Sequence, residues 1–177
     1  MGILICGLNG TGKSTLGLAL ALALGWTFND NEDLLFPKDN PSYLFASPRS
    51  REEAIALLEE QIRGNDRFVF AAVRGDYGPL LASSLSRVIV LEVPPEVRKK
   101  RVRERSYRRF GDRIMPGGDL FERESAWFRL TDSRSESYVW QWLQTVDCPV
   151  IRLDGTRSVE ENIRILLPQL RGSDAGI

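Results

Sequence analysis

The sequence predicts a doubly wound α/β domain built on a five-stranded parallel sheet. Three observations carry that expectation: short, continuously apolar runs of strand length, helical stretches between them, and a glycine-rich turn joining the first run to the first helix. Parallel neighbours need crossover connections, and helices then cover both sheet faces, so the strands are apolar on both sides instead of alternating. At 177 residues the chain fits one domain of roughly 150 residues. We read residues 1–177 as that domain, with an inserted helical region over roughly 105–147.

Taken in order, Ile3-Leu4-Ile5-Cys6 is the first strand, ending at Gly7, and Lys13 to Leu24 is a helix after the turn. Trp26-Thr27-Phe28 is a second strand that runs into the acidic Asn29-Asp30-Asn31-Glu32-Asp33. Residues 34 to 49 read as irregular, because Pro37, Pro41 and Pro48 oppose a long helix. Ser50 and Glu53 form a capping box for a helix whose apolar face is Ala54, Leu57, Leu58 and Ile62 and which stops at Gly64. Phe68 to Val73 is the third strand, a short helix lies near Pro79 to Leu85, and Val88 to Leu91 is the fourth strand. Pro94-Pro95 opens the next helix. Val150 to Leu153 is the fifth strand, and Asp154-Gly155 leads to a last helix capped by Ser158 and Glu161.

Composition removes whole classes of chemistry. There is no histidine, so hydrolase triads with a histidine base, histidine-ligated zinc and histidine pH switches are excluded. Proton transfer falls to carboxylates, lysine, tyrosine or water. The 24 basic and 24 acidic residues balance, which argues against a surface that grips nucleic acid or anionic membrane as a whole. Cys6 and Cys148 read as thiols of a reducing cytoplasm. The apolar stretch from Leu16 to Leu24 is far short of the ~20 residues that span a bilayer, and Met1-Gly2 lacks the Ser or Thr at position 6 of a myristoylation signal. A soluble cytoplasmic protein is expected.

Gly7-Leu8-Asn9-Gly10-Thr11-Gly12-Lys13-Ser14 fits G-x-x-x-x-G-K-[ST] at every fixed position, between a strand and a helix. Glycines let successive N–H groups turn inward, and the helix adds the positive end of its dipole. The segment resembles the P-loop NTPases. That resemblance implies Mg·ATP or Mg·GTP, with Mg²⁺ as cofactor, held by Gly7, Asn9, Gly10, Thr11, Gly12, Lys13, Ser14 and Thr15, with Lys13 on the β and γ phosphates and Ser14 on the metal; the residues that follow favour ATP. Neither of the strands where a metal-binding Asp would be expected ends in one, since the third ends Ala71-Ala72-Val73-Arg74 and the fourth Leu91-Glu92-Val93, and no N/T-K-x-D sequence for guanine appears. GTP switches and motors are therefore not expected.

Residues Gly25 to Glu32 resemble the segment of shikimate kinase-like and gluconate kinase-like enzymes in which two acids alternate, and Asp33 to Pro37 continues the gluconate kinase-like pattern with Phe36 where that family tends to have histidine. The resemblance implies the strand order 2-3-1-4-5, Mg²⁺ held by Asp30 through water, and an acceptor hydroxyl oriented or deprotonated by Glu32. Alternation along an extended segment would put both side chains on one face, and a carboxylate beside an alcohol is a suitable proton acceptor. A solvated turn is the competing reading of the same acids.

From Arg98 to Arg113 nine basic residues face two acidic ones, a net charge of +7. Arg98, Arg101, Arg105 and Arg108 or Arg109 share one helix face, followed by Gly111 and Pro116-Gly117-Gly118. This looks like the lid of nucleoside monophosphate kinase-like and shikimate kinase-like enzymes, with Arg105, Arg109 and Arg113 expected on the phosphates; the other reading is a solvated basic face. The Arg74-Gly75-Asp76-Tyr77-Gly78 turn stands where those families bind the acceptor, and Arg74 reads either as a clamp for an anionic acceptor or as a surface ion pair. Phe121, Trp127 and Phe128 are further candidates to line that pocket, whereas Val139, Trp142, Leu143 and Val146 follow core spacing. Asp154-Gly155-Thr156-Arg157 occupies the place of the adenine loop, so Arg157 is expected near the base.

The expectation is a small-molecule kinase moving the ATP γ-phosphate to a hydroxyl or phosphate acceptor, with catalysis by Lys13, Asp30, Glu32, Arg109 and Arg113. Two alternatives stay open. One is a 5′-hydroxyl nucleic-acid kinase with the +7 segment as its groove, although a nucleic-acid partner is not favoured. The other is a noncatalytic, nucleotide-dependent binding protein.

Overall fold

The computed structural model describes residues 1–36 and 48–171. Its sheet has five parallel strands in the order β2-β3-β1-β4-β5: β1 (Gly2–Cys6), β2 (Thr27–Asp30), β3 (Phe68–Ala71), β4 (Leu85–Glu92) and β5 (Val150–Asp154). The helices are α1 (Lys13–Leu24), α2 (Asn31–Leu35), α3 (Arg51–Arg63), α4 (Pro79–Ser84), α5 (Pro95–Phe110), α6 (Phe121–Ser133), α7 (Ser137–Leu143) and α8 (Val159–Arg171), with a 3₁₀ turn over Gly111–Ile114.

Because successive strand side chains point to opposite faces, the apolar runs divide between two cores. Leu4, Cys6, Phe68, Phe70, Val88 and Val90 join Ala54, Leu58, Leu81, Val139 and Leu143 from α3, α4 and α7 on one side. Ile3, Ile5, Val69, Ile89 and Leu91 join Leu16, Leu20 and Leu166 from α1 and α8 on the other. The doubly wound expectation is met, and α7 takes the core role that its spacing indicates. The helix ends follow side-chain chemistry: Ser50 Oγ accepts from Glu53 N while the Glu53 carboxylate accepts from Ser50 N, and Ser158 with Glu161 repeats the arrangement before α8.

Several boundaries differ from the sequence reading. β2 runs through Asp30, β3 stops at Ala71, and β4 begins at Leu85. The irregular reading of 34 to 49 is corrected in its first residues, because α2 covers Asn31–Leu35 and buries Leu34. Its start is chemical: Asp30 Oδ1 accepts from Glu32 N at 2.9 Å and caps the helix. Pro37 and Pro41 lie outside the described residues. No helix among the described residues is long and apolar enough to cross a membrane.

Phe70 is fully buried in the β3 centre, with the Tyr77 ring edge-on to it at 5.2 Å. Phe70→Ala is expected to cost about 3–5 kcal/mol of stability, read from denaturant unfolding of the purified protein.

Candidate functional site

The glycine-rich loop between β1 and α1 lies at the carboxyl ends of the strands, where open α/β sheets bind ligands. It is clasped from three sides by close backbone approach. A Cβ at Gly7 (φ 144°) would lie 2.5 Å from the Leu91 carbonyl oxygen of β4, and one at Gly10 (φ 86°) would lie 2.3 Å from that of Arg98 in the first turn of α5. Gly155, after β5, packs against the Thr11 carbonyl from the third side. Within the loop, donors converge on the Leu8 carbonyl: Thr11 Oγ1 at 2.9 Å, Lys13 Nζ at 3.0 Å and, at 3.4 Å, the Thr11 N–H. Thr11 is thereby buried as a shape-holding residue, while Gly12, Ser14 and Thr15 are exposed at the start of α1. No acidic residue occupies the first turn of α1, which leaves the positive dipole end open to an anion.

Burial pulls the Lys13 ammonium down to about 8, the largest influence on it. The Asp30 carboxylate opposes this, and the cations of Arg105 and Arg134 reinforce it. Three charged side chains from distant parts of the chain thus act on one ammonium. Burial also pushes the Cys6 thiol at the end of β1 up to about 12.

Asp30 and Glu32 are adjacent, yet not as two teeth of an extended segment. Since Asp30 ends β2 and caps α2, Glu32 lies in the helix's first turn. Its carboxylate accepts from Arg109 Nη1 at 3.1 Å, across 77 residues, tying the end of α5 to the tip of β2.

The basic run does not act as one face. Arg98 is buried and donates to the carbonyls of Thr131 and Arg134, while Arg101 donates to the Gly155 carbonyl at 2.9 Å. Arg103 forks onto Asp132. Arg105 is exposed and its charge acts on Lys13 from a distance, Arg109 meets Glu32, and Arg113 forks onto Asp119 at 2.6 and 2.9 Å in the turn between α5 and α6. Arg157 lies by Asp154 at 3.7 Å in the loop after β5.

Arg134 is the site residue that sequence reasoning missed. Placed just after α6, it donates to Asn9 Oδ1 at 2.9 Å inside the loop. Its guanidinium lies 5.6 Å from the centre of the Tyr138 ring, with that of Arg74 over the same ring at 3.9 Å. The only local signal is a polar Asp132-Ser133-Arg134-Ser135 break between two helical runs, and its partner is 125 residues away.

At the tip after β3, Arg74 takes the ion-pair form, with Asp76 at 2.9 Å, and Arg51 joins the same carboxylate at 3.0 Å. The Tyr77 hydroxyl donates to Asn31 Oδ1, and burial pushes that phenol up to about 12. Gly75 is close-packed under the Trp142 ring. Phe128 packs beneath Arg103.

Comparison with known proteins agrees with this architecture. Residues 3–124 match a family model described as an AAA domain. The chain is 30% identical over 176 residues to the uncharacterized protein YqaC of Bacillus subtilis (strain 168), covering 94% of this chain and 95% of that one. In fold it is similar to a deoxyadenosine kinase from M. mycoides with bound dATP (TM-score 0.61, 17% identity, 97% and 100% of the two chains). It is similar also to a gluconokinase from Sinorhizobium meliloti 1021 (TM-score 0.55, 19%, 96% and 91%) and to a shikimate kinase from Acinetobacter baumannii in complex with shikimate (TM-score 0.53, 16%, 99% and 95%). These likenesses show a P-loop kinase fold.

Lys13 is expected to titrate near 8 in ¹³C NMR of the lysine Cε groups, below the ordinary lysine range of about 10.4. Because the Asp30 anion favours the ammonium, Asp30→Asn moves that midpoint lower still; a midpoint that rises would contradict the pairing.

Proposed function

We propose, for a chain that belongs to the AAA domain family, that it is a cytoplasmic small-molecule kinase, using ATP and Mg²⁺ to phosphorylate a hydroxyl- or phosphate-bearing metabolite. The observation that carries this reading is the convergence of Asp30, Arg105 and Arg134 on Lys13 beside an N-terminal helix turn free of acids. Phosphoryl transfer asks little covalent chemistry of a protein and depends on positioning and cationic stabilisation, which this set of side chains can supply.

A phosphate chain fits the loop: its glycines stand where backbone passes too closely for a side chain, its inner lysine, lowered to about 8, still carries its charge at neutral pH, and the dipole end is open. Lys13 would hold the β and γ phosphates, with Gly7, Asn9, Gly10, Thr11, Gly12 and Thr15 shaping or lining the cradle and Arg157 near the base. The exposed Ser14 hydroxyl and the Asp30 carboxylate are hard oxygen donors suited to Mg²⁺. When bound, the ion neutralises charge that builds on the phosphates. Glu32 takes or orients the acceptor's hydroxyl proton, and release from Arg109 would free its carboxylate for that task. Arg105, with Arg109 and Arg113 once they leave Glu32 and Asp119, would supply lid charge to the phosphates, with Arg134 on Asn9 inside the loop.

The acceptor lies among Asp30, Glu32, Asn31, Arg74 and Tyr77, at the tips of β2 and β3. The substrates after which the structural neighbours are named, a deoxynucleoside, gluconate and shikimate, are small hydroxyl compounds of that class. A nucleic-acid groove is less well supported, since Arg98 is buried on α6 carbonyls, Arg101 is engaged by the Gly155 carbonyl and Arg103 by Asp132, so the +7 run is not one open face.

ATP consumption measured against pooled sugars, sugar acids, nucleosides, nucleotides and amino-alcohols tests the reading: at least one pool is expected to stimulate turnover, and Lys13→Ala to bring it to background with the fold kept. Turnover by Lys13→Ala equal to that of wild type would overturn it. Glu32→Gln should lower kcat by about 10²-fold or more if Glu32 handles the proton, and an unchanged kcat removes that role.

A further inference from the structure

Arg98 stands apart from the basic run to which it belongs. It is 4% exposed, and its guanidinium donates to two backbone carbonyls at the end of α6, from Nη1 to Thr131 at 3.3 Å and from Nη2 to Arg134 at 2.9 Å. Those carbonyls belong to the last turn, where intrahelical partners run out and the dipole is negative, so a buried cation satisfies both the orphan oxygens and the field. Asp132 on the same turn is also held below the usual carboxylate range, mainly by Arg103 and in smaller part by Arg98. The backbone of Arg98 faces the other way. Its carbonyl packs against Gly10 so closely that a Cβ there would lie 2.3 Å away, and the residue lines a small cavity behind the loop with Gly7, Leu8 and Thr11.

One buried residue therefore touches the phosphate loop with its main chain and the seat of Arg134 with its side chain. Arg134 in turn donates to Asn9 and acts on Lys13. We infer that Arg98 is a positioning residue: by fixing the last turn of α6 against the first turn of α5, it sets the Arg134 guanidinium on Asn9 beside Lys13, and through it the affinity of the loop for nucleotide phosphates. The inference rests on reading the loop as a nucleotide site. A purely structural role predicts a different signature: loss of the donor to the Thr131 and Arg134 carbonyls would lower stability while leaving the nucleotide affinity of the folded protein unchanged.

The test is a double-mutant cycle on Mg·ATP affinity with Arg98→Met, Arg134→Ala and the pair, alongside thermal unfolding. Each single variant is expected to weaken binding about tenfold or more, the scale of one charge-assisted hydrogen bond, and the pair to bind no worse than Arg134→Ala alone. Losses that multiply, or a folded Arg98→Met with wild-type affinity, overturn the inference. Should Arg98→Met fail to fold, Arg98→Lys completes the same cycle, since an ammonium keeps the charge but cannot fork onto two carbonyls. NMR of the arginine Nε–Hε groups without nucleotide gives a second reading: the Arg134 signal shifts and exchanges faster in Arg98→Met, while that of Arg113 stays. An unmoved Arg134 signal overturns the positioning role even if affinity falls. Wild-type protein that does not bind Mg·ATP, with the Arg134 signal still moved by Arg98→Met, overturns the nucleotide reading and leaves the positioning role standing.

Discussion

The molecule is organised around the desolvation of one ammonium group. Keeping Lys13 in a loop of buried backbone is costly, and the cost is met by the Leu8 carbonyl and the Asp30 carboxylate. Both groups must be delivered to the same point, which requires β1, α1 and β2 to meet at one end of the sheet. The loop must also be thin enough for β4, α5 and the β5–α8 connection to close on it, so Gly7, Gly10 and Gly155 stand where side chains would collide with backbone or core. The order β2-β3-β1-β4-β5, with β1 at its centre, provides this arrangement.

Much of that was legible in the chain itself. Continuous apolar runs identify the strands because both faces are buried, and the capping residues Ser50 with Glu53 and Ser158 with Glu161 mark two helix starts, since their chemistry is local. The loop motif is local for the same reason. The segment after β2 was misjudged because alternation and capping compete for the same acids: Asp30 closes on the Glu32 N–H two residues ahead, and the chain turns into α2 instead of continuing extended.

The arginines were harder to read for a different reason. Spacing of three and four puts Arg98, Arg101, Arg105 and Arg109 on neighbouring positions of α5, but what each meets is set by elements far along the chain. Arg98 finds the end of α6, Arg101 the loop after β5, and Arg109 the tip of β2. Arg134 had no pattern around it, because its place depends on the packing of α6 against α5. Periodicity reports a face; only packing reports the partner.

Cys6 carries a consequence for chemical handling of the protein. Its thiol is fully buried at the foot of the loop and held in the protonated form by the same lack of water that unsettles Lys13. Thiolates, not thiols, react with alkylating reagents and oxidants, so the foundation of the loop is chemically inert although a sulfur atom lies in it. The other cysteine, Cys148, is partly accessible and precedes β5, at the opposite end of the sheet from the loop. Burial raises the Cys148 thiol as well, so of the two sulfurs the accessible one is the site a thiol reagent would reach first, only slowly near neutral pH, and it would do so at the end of the sheet away from the loop.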